Sequence, residues 1–583
     1  MTSLVPHLST ADPALAVWRR RLAVAQRQLP ADLVIQGGTV VNVHSGELLR
    51  QDLAIADGRI AAVGLGYEGT ETIDATGLLV APSFIDGHVH VESALVWITE
   101  FARAVVPRGT GAVVTDPHEI ANVAGLAGIQ VLRDAARFLP MRVAFTVPSS
   151  VPASPHESPG AIMDPDVVAD ALGWPDVVGL GEMMNFPGLL AGDADIAAKL
   201  ASAGDHHLRR DGHAPGLRGD ALQAYAGAGP GSDHESTTLD EARDKLRAGL
   251  MIMIREGSTE QNLLDLLPLV TDATYPRCCF TSDDRDCHTL LHRGHMDDIL
   301  RRAIAAGLDP IRAIRMATWN TASYWRLEGL GAVAPGYLAN LVLLSDLTSV
   351  TVAATIYEGR IVAESGCLVA PIDSPADAAS ALRETVHVAP VTTKDLRLRP
   401  ADARLAVQVT PGQIVTTAIA VDPLVVDGWV RADPERDLLK LVSVERHHAT
   451  GRVGVGLVRG FGLRRGALAS TIAHDAHNII AVGTSEADLL GAIALVAESQ
   501  GGLAVVADGQ ILGHLPLPIA GLLSDQPLDD VARAYEALEA SARSLGSTLE
   551  SPFGMLAFMS LSVIPEIRVT DRGTLVLTDT MDD

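Results

Sequence analysis

Aromatic side chains are scarce in this 583-residue chain, with Phe, Trp and Tyr together making up 4% of it. Its cores must therefore be aliphatic, built on Val, Leu, Ile and Ala. Cysteine is scarcer still: the four present are Cys278, Cys279, Cys287 and Cys367. Three of them crowd into one short stretch and no pair has zinc-finger spacing, so a disulfide framework is not expected. Positive charge is outnumbered, with 45 Lys and Arg against 71 Asp and Glu and a formal net charge of −26. That balance argues against nucleic acid or an anionic membrane as a partner and favours a small neutral molecule. No apolar run approaches the roughly 20 residues of a membrane span. Arg19, Arg20 and Arg21 are not followed by an apolar stretch of signal-peptide length. A soluble protein of a reducing cytoplasm is the expectation.

What is present is globular in composition, 48% hydrophobic and 20% charged, and long enough for about three or four domains. Residues 1–30 read as a helical lead-in. ADLVIQGGTVVNV and DLAIADGRIAAVG read as strand, Gly-containing turn, strand, opening a small β-domain. From about Leu79 the rhythm changes to short apolar runs that end in polar clusters, separated by helical stretches. The runs are LLVAPSFIDGHVH, GAVVTDPHE, RVAFTVPSS, DVVGLGEMMN, HHLRRDGH, GAGPGSDHE, LMIMIREGS and RCCFTSDD. Eight such units predict a (β/α)8 barrel over residues 79–329, with the sixth strand poorly marked. β-hairpin language returns over residues 330–385, which predicts one composite β-domain formed with residues 31–78. A further α+β domain is expected over residues 390–583, with Ser374 to Ala381 as a linker.

Barrel active sites gather at strand C-termini, and the residues there are informative. His88 and His90 end the first strand, where period two points both imidazoles the same way. Glu182 ends the fourth strand, His213 the fifth, His234 the sixth and Asp283 the eighth. Their intervals suit whole numbers of βα units. Four histidines and two carboxylates thus converge on one mouth, a set suited to two divalent cations, since imidazole fits Zn, Fe, Ni or Co and carboxylates also admit Mn. Such ions make bound water acidic enough to act as a nucleophile near neutral pH. Asp283 is placed to take that proton and return it to a leaving group.

PSFIDGHVHVESALV, TDPHEIANVAG, GLGEMMNFPG, DGHAPGLRG, SDHES, MIREGS, TSDDR and GHMDDILRRAI resemble motifs of the adenine deaminases of the amidohydrolase superfamily. HDAHNIIAVGTS and LPLPIAGLLS resemble that family's own C-terminal domain, so the likeness spans about residues 30–570. It implies a metal-dependent barrel, a composite β-domain, an added C-terminal α+β domain, and hydrolysis of adenine to hypoxanthine and ammonia. It also implies two divalent ions, Mn or Fe before Zn. His88, His90 and Asp283 would hold the more buried ion, Glu182 would bridge, and His213 and His234 would hold the second. The first aspartate of SDDR, rather than Asp284, takes the ligand position by the same likeness. Ser83 and Gly87 depart from the family's usual Gly and Ala without removing a ligand.

A second group surrounds this one. His118 and Glu235 are expected as proton-transfer groups, and Asp116, Glu119, Glu92 and Arg255 as substrate-binding residues. D-P-H-E is also a good helix start, and for Asp116 a capping role is the stronger expectation. Arg255 and Arg285 are the cations visible at strand ends. His474, Asp475, His477 and Asn478 are expected to form a buried network holding the C-terminal domain to the barrel, before any part in the site's rim or an extra metal. Phe553, Met555, Phe558 and Met559, at helical spacing, are expected in a core rather than around a purine. The competing readings are a deaminase of an N6-substituted adenine, another cyclic amidohydrolase, and an inactive metal-dependent scaffold. All six ligands are present, which counts against the last. A homodimer is the expected assembly.

Overall fold

The computed structural model describes residues 13–375, 377–411, 414–564 and 566–577. The helix Pro13–Ala25 forms the described part of the lead-in; the first 12 residues lie outside the described ones. A four-stranded sheet follows, from Ala31–Gln36, Leu53–Ala56, Arg59–Val63 and Gly69–Asp74. Its hairpin turns at Asp57 and Gly58, both with positive φ (53° and 70°), the backbone a two-residue turn between twisted strands demands.

A seven-stranded sheet packs beside it. There Leu79–Pro82 pairs antiparallel with Leu341–Asp346, with Leu343 opposite Val80 and Leu341 opposite Pro82. Chain segments that flank the barrel therefore share one sheet. Leu33, Ile35, Ile55, Val80, Leu341 and Ile356 are buried together between the layers. The apolar run LLVAPSFIDGHVH is accordingly not one strand. It breaks at Ser83, whose amide bonds to the Asn340 carbonyl, while Phe84 turns to Gly109. Pro82 cannot donate to a ladder, and the chain passes there from one sheet to another. The barrel begins at Phe84, not at Leu79.

The eight parallel barrel strands are Phe84–Val89, Thr110–Thr115, Arg142–Val147, Val177–Met183, Arg209–Gly212, Ser232–Asp233, Met251–Arg255 and Cys278–Thr281. They pair as a five-stranded and a three-stranded sheet. Gly231 N–H to Arg210 C=O, at 2.9 Å, links the fifth strand to the sixth. Asp283 N–H to His88 C=O, at 3.0 Å, links the eighth to the first. The sixth strand is two residues long, in line with its Gly-rich approach, which gives up side-chain packing and backbone rigidity.

The C-terminal domain is built on an eight-stranded mixed sheet between Leu405 and Pro516, covered by the helices Glu486–Glu498 and Leu528–Ser544. It shares a continuous apolar core with the barrel, where Trp97, Ile98 and Phe101 meet the cluster that holds Leu522, Leu523 and Phe553. Polar ties flank that core: Asn478 Nδ2 donates to the Ser158 carbonyl at 3.0 Å, and Ser158 Oγ to Asp571 at 2.6 Å. Among the described residues no helix is long and apolar enough to cross a membrane.

Candidate active site

His88 and His90 emerge from the first barrel strand on one side, with their Nε2 atoms 3.1 Å apart. Each ring is fixed from behind. His88 Nδ1 lies 2.7 Å from Asp211 Oδ2, and His90 Nδ1 lies 2.9 Å from the Asp116 carbonyl. Both partners only accept, so each Nδ1 carries a proton and each Nε2 is the ring nitrogen left to face the cluster. Asp283 reaches the same point from the eighth strand, with Oδ1 3.4 Å from His88 Nε2 and 3.2 Å from His90 Nε2. Its backbone sits in the left-handed region at φ 55°. That turn lets its amide and carbonyl bond to His88 and His90 while the side chain faces the cluster.

Glu182 stands at the centre. Its Oε1 lies 3.3 Å from His90 Nε2 and 3.9 Å from His88 Nε2. Its Oε2 lies 2.5 Å from His213 Nδ1 and 3.2 Å from His234 Nε2. The carboxylate therefore spans two imidazole pairs. His213 Nδ1 and His234 Nε2 are buried and have no hydrogen-bond partner, although a carboxylate oxygen faces each. Nitrogens aimed at an oxygen without hydrogen-bond alignment fit a shared cation, and two three-ligand groups meet at Glu182: one with His88 and His90, the other with His213 and His234. Burial opposes charge on Glu182, but His213, His234 and His90 hold its carboxyl well below the usual range. Burial likewise opposes charge on His213, and Glu235 and Glu182 outweigh it, taking the imidazole up to about 9.

The backbone behind Glu182 explains Asp116. The Glu182 amide donates to Asp116 Oδ2 at 2.8 Å. Gly181 makes this possible, because a Cβ there would lie 2.2 Å from the same oxygen. Asp116 thus positions the fourth strand; it neither caps the helix nor lines the cavity, in contrast to the capping and substrate-binding roles expected from the sequence. The following helix, His118–Ala136, has Pro117 at its N-cap with no side-chain bond there. Glu92 does that work, accepting from the Ile120 amide at 3.2 Å. Glu92 and Glu119 line a neighbouring chamber rather than the cavity over the histidine–carboxylate cluster. Burial and the charges of Glu92 and Asp284 push the Glu119 carboxyl up to about 8.

The cavity over the histidine–carboxylate cluster encloses about 430 Å³, including space open to solvent. His118 lies on its wall, with Nδ1 3.4 Å from Glu182 Oε1 and Nε2 3.7 Å from Asp475 Oδ1. Burial and His90 oppose its charge, but Asp475 and Glu182 take it up to about 9. Glu235 and Asp283 share Arg255, whose Nη1 donates to both. Arg285 does not face the mouth. It is buried against the carbonyls of Glu256, Gly294 and His295 and paired with Asp298 at 3.1 Å.

The C-terminal domain closes this cavity with Ile414, His474, Asp475, Phe558, Leu561 and Ile564. The HDAHN segment therefore divides its work. Asn478 ties the domains, the first expectation, while His474 and Asp475 form cavity wall, the rim role that stood second. Phe558, expected in a core, stacks on His474 with ring centroids 4.7 Å apart and lines the cavity; Met559 is in the core. Asp211 and Glu260 escaped the sequence reading. Asp211 carries a signal, since it lies two residues before His213 and so on the same strand face. Glu260 sits in the loop beyond the seventh strand, where no periodicity applies, and burial raises it to about 7. Asp211→Asn should weaken metal retention by about 10–100-fold, because the Nδ1 partner sets ring orientation and basicity. Competition with a chelator of known affinity measures this.

An eight-stranded parallel barrel carrying a buried histidine–carboxylate cluster at its strand ends, a set able to hold divalent metal, has the architecture of an amidohydrolase, and the profile described as "Amidohydrolase family" matches residues 79–362. The profile described as "Adenine deaminase C-terminal domain" matches residues 413–580. The chain is 46% identical over 553 residues to an adenine deaminase of Dehalococcoides mccartyi strain CBDB1, covering 95% of this chain and 96% of that one. It is 45% identical over 591 residues to an adenine deaminase of Moorella thermoacetica, covering 98% of each. The chain belongs to the adenine deaminase family.

Proposed function

We propose that this chain hydrolyses the 6-amino group of adenine, giving hypoxanthine and ammonia, with two divalent ions held by His88, His90, Asp283, Glu182, His213 and His234. The observation that carries the ligand assignment is the Glu182 carboxylate, with one oxygen toward His90 and the other toward His213 and His234. When bound, such ions supply an acidified water and neutralise developing negative charge. Mn or Fe is favoured by family resemblance, and Zn also fits the donor set.

The chain's own residues supply the proton traffic. Asp283 has Oδ1 in the cluster and Oδ2 held by Arg255 at 3.1 Å, so one oxygen is fixed and the other faces the reacting centre. It takes the proton of the attacking water and delivers it to the departing amine. Glu235, beside His213 and His234 at 3.7 and 3.5 Å, and His118 serve the ring nitrogen next to the attacked carbon. Phe558, Leu561, Ile564 and Met184 give the purine an apolar surround.

Purified, metal-loaded protein should convert the ultraviolet spectrum of adenine to that of hypoxanthine with one ammonia per turnover. An unchanged adenine spectrum would refute the substrate. N6-methyladenine is the discriminating control. An open chamber of about 640 Å³ adjoins the cavity at Asp284, His474 and Phe558, and exclusive use of that compound would transfer the assignment to N6-substituted purines. AMP should be a poor substrate. Among the described residues lining the cavity, Arg255 is the sole Lys or Arg, and Glu235 and Asp283 already engage it. Burying a phosphate without a cationic partner costs several kcal/mol, so kcat/KM for AMP should be lower than for adenine by about 10³-fold or more. Comparable values for the two would refute this account of the cavity.

A further inference from the structure

The short helix Cys287–His292 follows directly on the strand-eight residues that carry Asp283. It places His288 and His292 one turn apart, on the same face. The rings lie 4.7 Å apart by centroid. Both Nε2 atoms point at one oxygen, Oε1 of Glu536, at 3.4 and 2.8 Å. Glu536 belongs to the helix Leu528–Ser544 of the C-terminal domain. Three donor atoms from two domains thus converge within 4.8 Å of one another.

We propose that His288, His292 and Glu536 form an additional site for one divalent transition ion of the zinc or nickel class, which clamps the C-terminal domain to the barrel. Two histidines at i and i+4 on a helix are a metal-binding pair by geometry. In a tetrahedral zinc site, ligands at about 2.0–2.1 Å from the ion lie roughly 3.3 Å from one another. The two measured separations bracket that spacing, so little rearrangement is needed. All three side chains are about half exposed, at 48%, 51% and 42%, so water can complete the shell.

Charge points the same way. Among the described residues no Lys or Arg forms an ion pair with Glu536. Arg533, one turn away on its helix, pairs with Asp530, and Arg293, next to His292, pairs with Asp298. The carboxylate is therefore answered, among the described residues, only by the two imidazoles. A cation would satisfy all three donors. The clamp would also brace the active site. Asp286 caps the histidine-bearing helix, accepting from the Thr289 amide. It lines the chamber beside the catalytic cavity, as does Tyr535, the neighbour of Glu536.

The test uses the holoenzyme with its resident ions in place. Dialysis against micromolar free zinc, with every metal counted per chain, should show wild type holding one more zinc than the His288→Gln/His292→Gln double variant. Glu536→Gln should raise half-saturating zinc by at least about ten-fold. Added zinc should raise the melting temperature of wild type and not of the double variant, because only the former binds it. Without added zinc the two should turn over substrate equally, since these residues lie outside the catalytic cavity. Equal zinc in wild type and double variant would overturn the site. An equal zinc-dependent rise in melting temperature would overturn the clamp.

Discussion

Replacing Asp283 by Asn should lower kcat by about 10²–10⁴-fold, the usual contribution of a general acid–base group, while most of the bound metal remains. The geometry separates the two effects. Asp283 Oδ1 faces His88 and His90 Nε2 at 3.4 and 3.2 Å, and Oδ2 accepts from Arg255. An amide keeps the shape and one carbonyl oxygen for the cluster, but it cannot take a proton from water and pass it to an amine. KM should move much less than kcat, because the group acts on the reacting atoms. Asp284→Asn is the control. Its carboxylate bonds to Ser93 Oγ and lies between the cavity and the adjoining chamber, so its loss should leave the acid–base limb of the pH profile in place. Ammonia release read alongside metal content decides the matter. If Asp283→Asn lost its metal in step with its activity, the residue would be a ligand only.

How much of this could be read in the chain depends on the kind of interaction. The barrel was legible because each strand ends in a polar cluster, and the convergence of the histidines and carboxylates because period two points His88 and His90 one way. The composite β-domain was legible from hairpin signals on both sides of the barrel. The break at Ser83 was not, because an apolar run does not say which sheet it joins. Asp116 was misread because D-P-H-E is a fair helix start, whereas its actual partner, the Glu182 amide, comes from another strand and depends on the missing side chain of Gly181. Arg285 looked like a free cation at a strand end, yet buried carbonyls already occupy its guanidinium. Phe558 and Asp475 share a difficulty: helical spacing or a polar cluster in one domain cannot report a cavity that exists only where two domains meet.

That meeting has a consequence for catalysis. The barrel alone would leave the cluster facing solvent, whereas Ile414, Phe558, Leu561 and Ile564 wall it. Exclusion of water strengthens every charge interaction inside, so the C-terminal domain is part of the catalytic environment as well as a neighbour. The same closure makes the central carboxylate difficult to replace.

Glu182→Gln should therefore cost both ions, whereas His213→Asn should empty mainly one site. Glu182 is the common member of the two three-ligand groups, and imidazole nitrogens of His88, His90, His118, His213 and His234 all lie within 3.9 Å of its oxygens. Gln offers one neutral oxygen in place of two anionic ones, and its NH2 would point at nitrogens that need an acceptor or a cation. Breaking a buried charged partnership by removing one member typically destabilises by about 3–5 kcal/mol, so the variant should also melt earlier than wild type at equal metal concentration. His213→Asn removes one donor from one side only and leaves His88, His90, Asp283 and the bridge intact. Metal analysis after exhaustive dialysis should read about two ions per chain in wild type, about one in His213→Asn and fewer than one in Glu182→Gln, with turnover lost in the last and not restored by remetallation. If Glu182→Gln retained two ions, the carboxylate could not be the bridge, and the reading of the two histidine pairs as halves of one metal centre would fail with it.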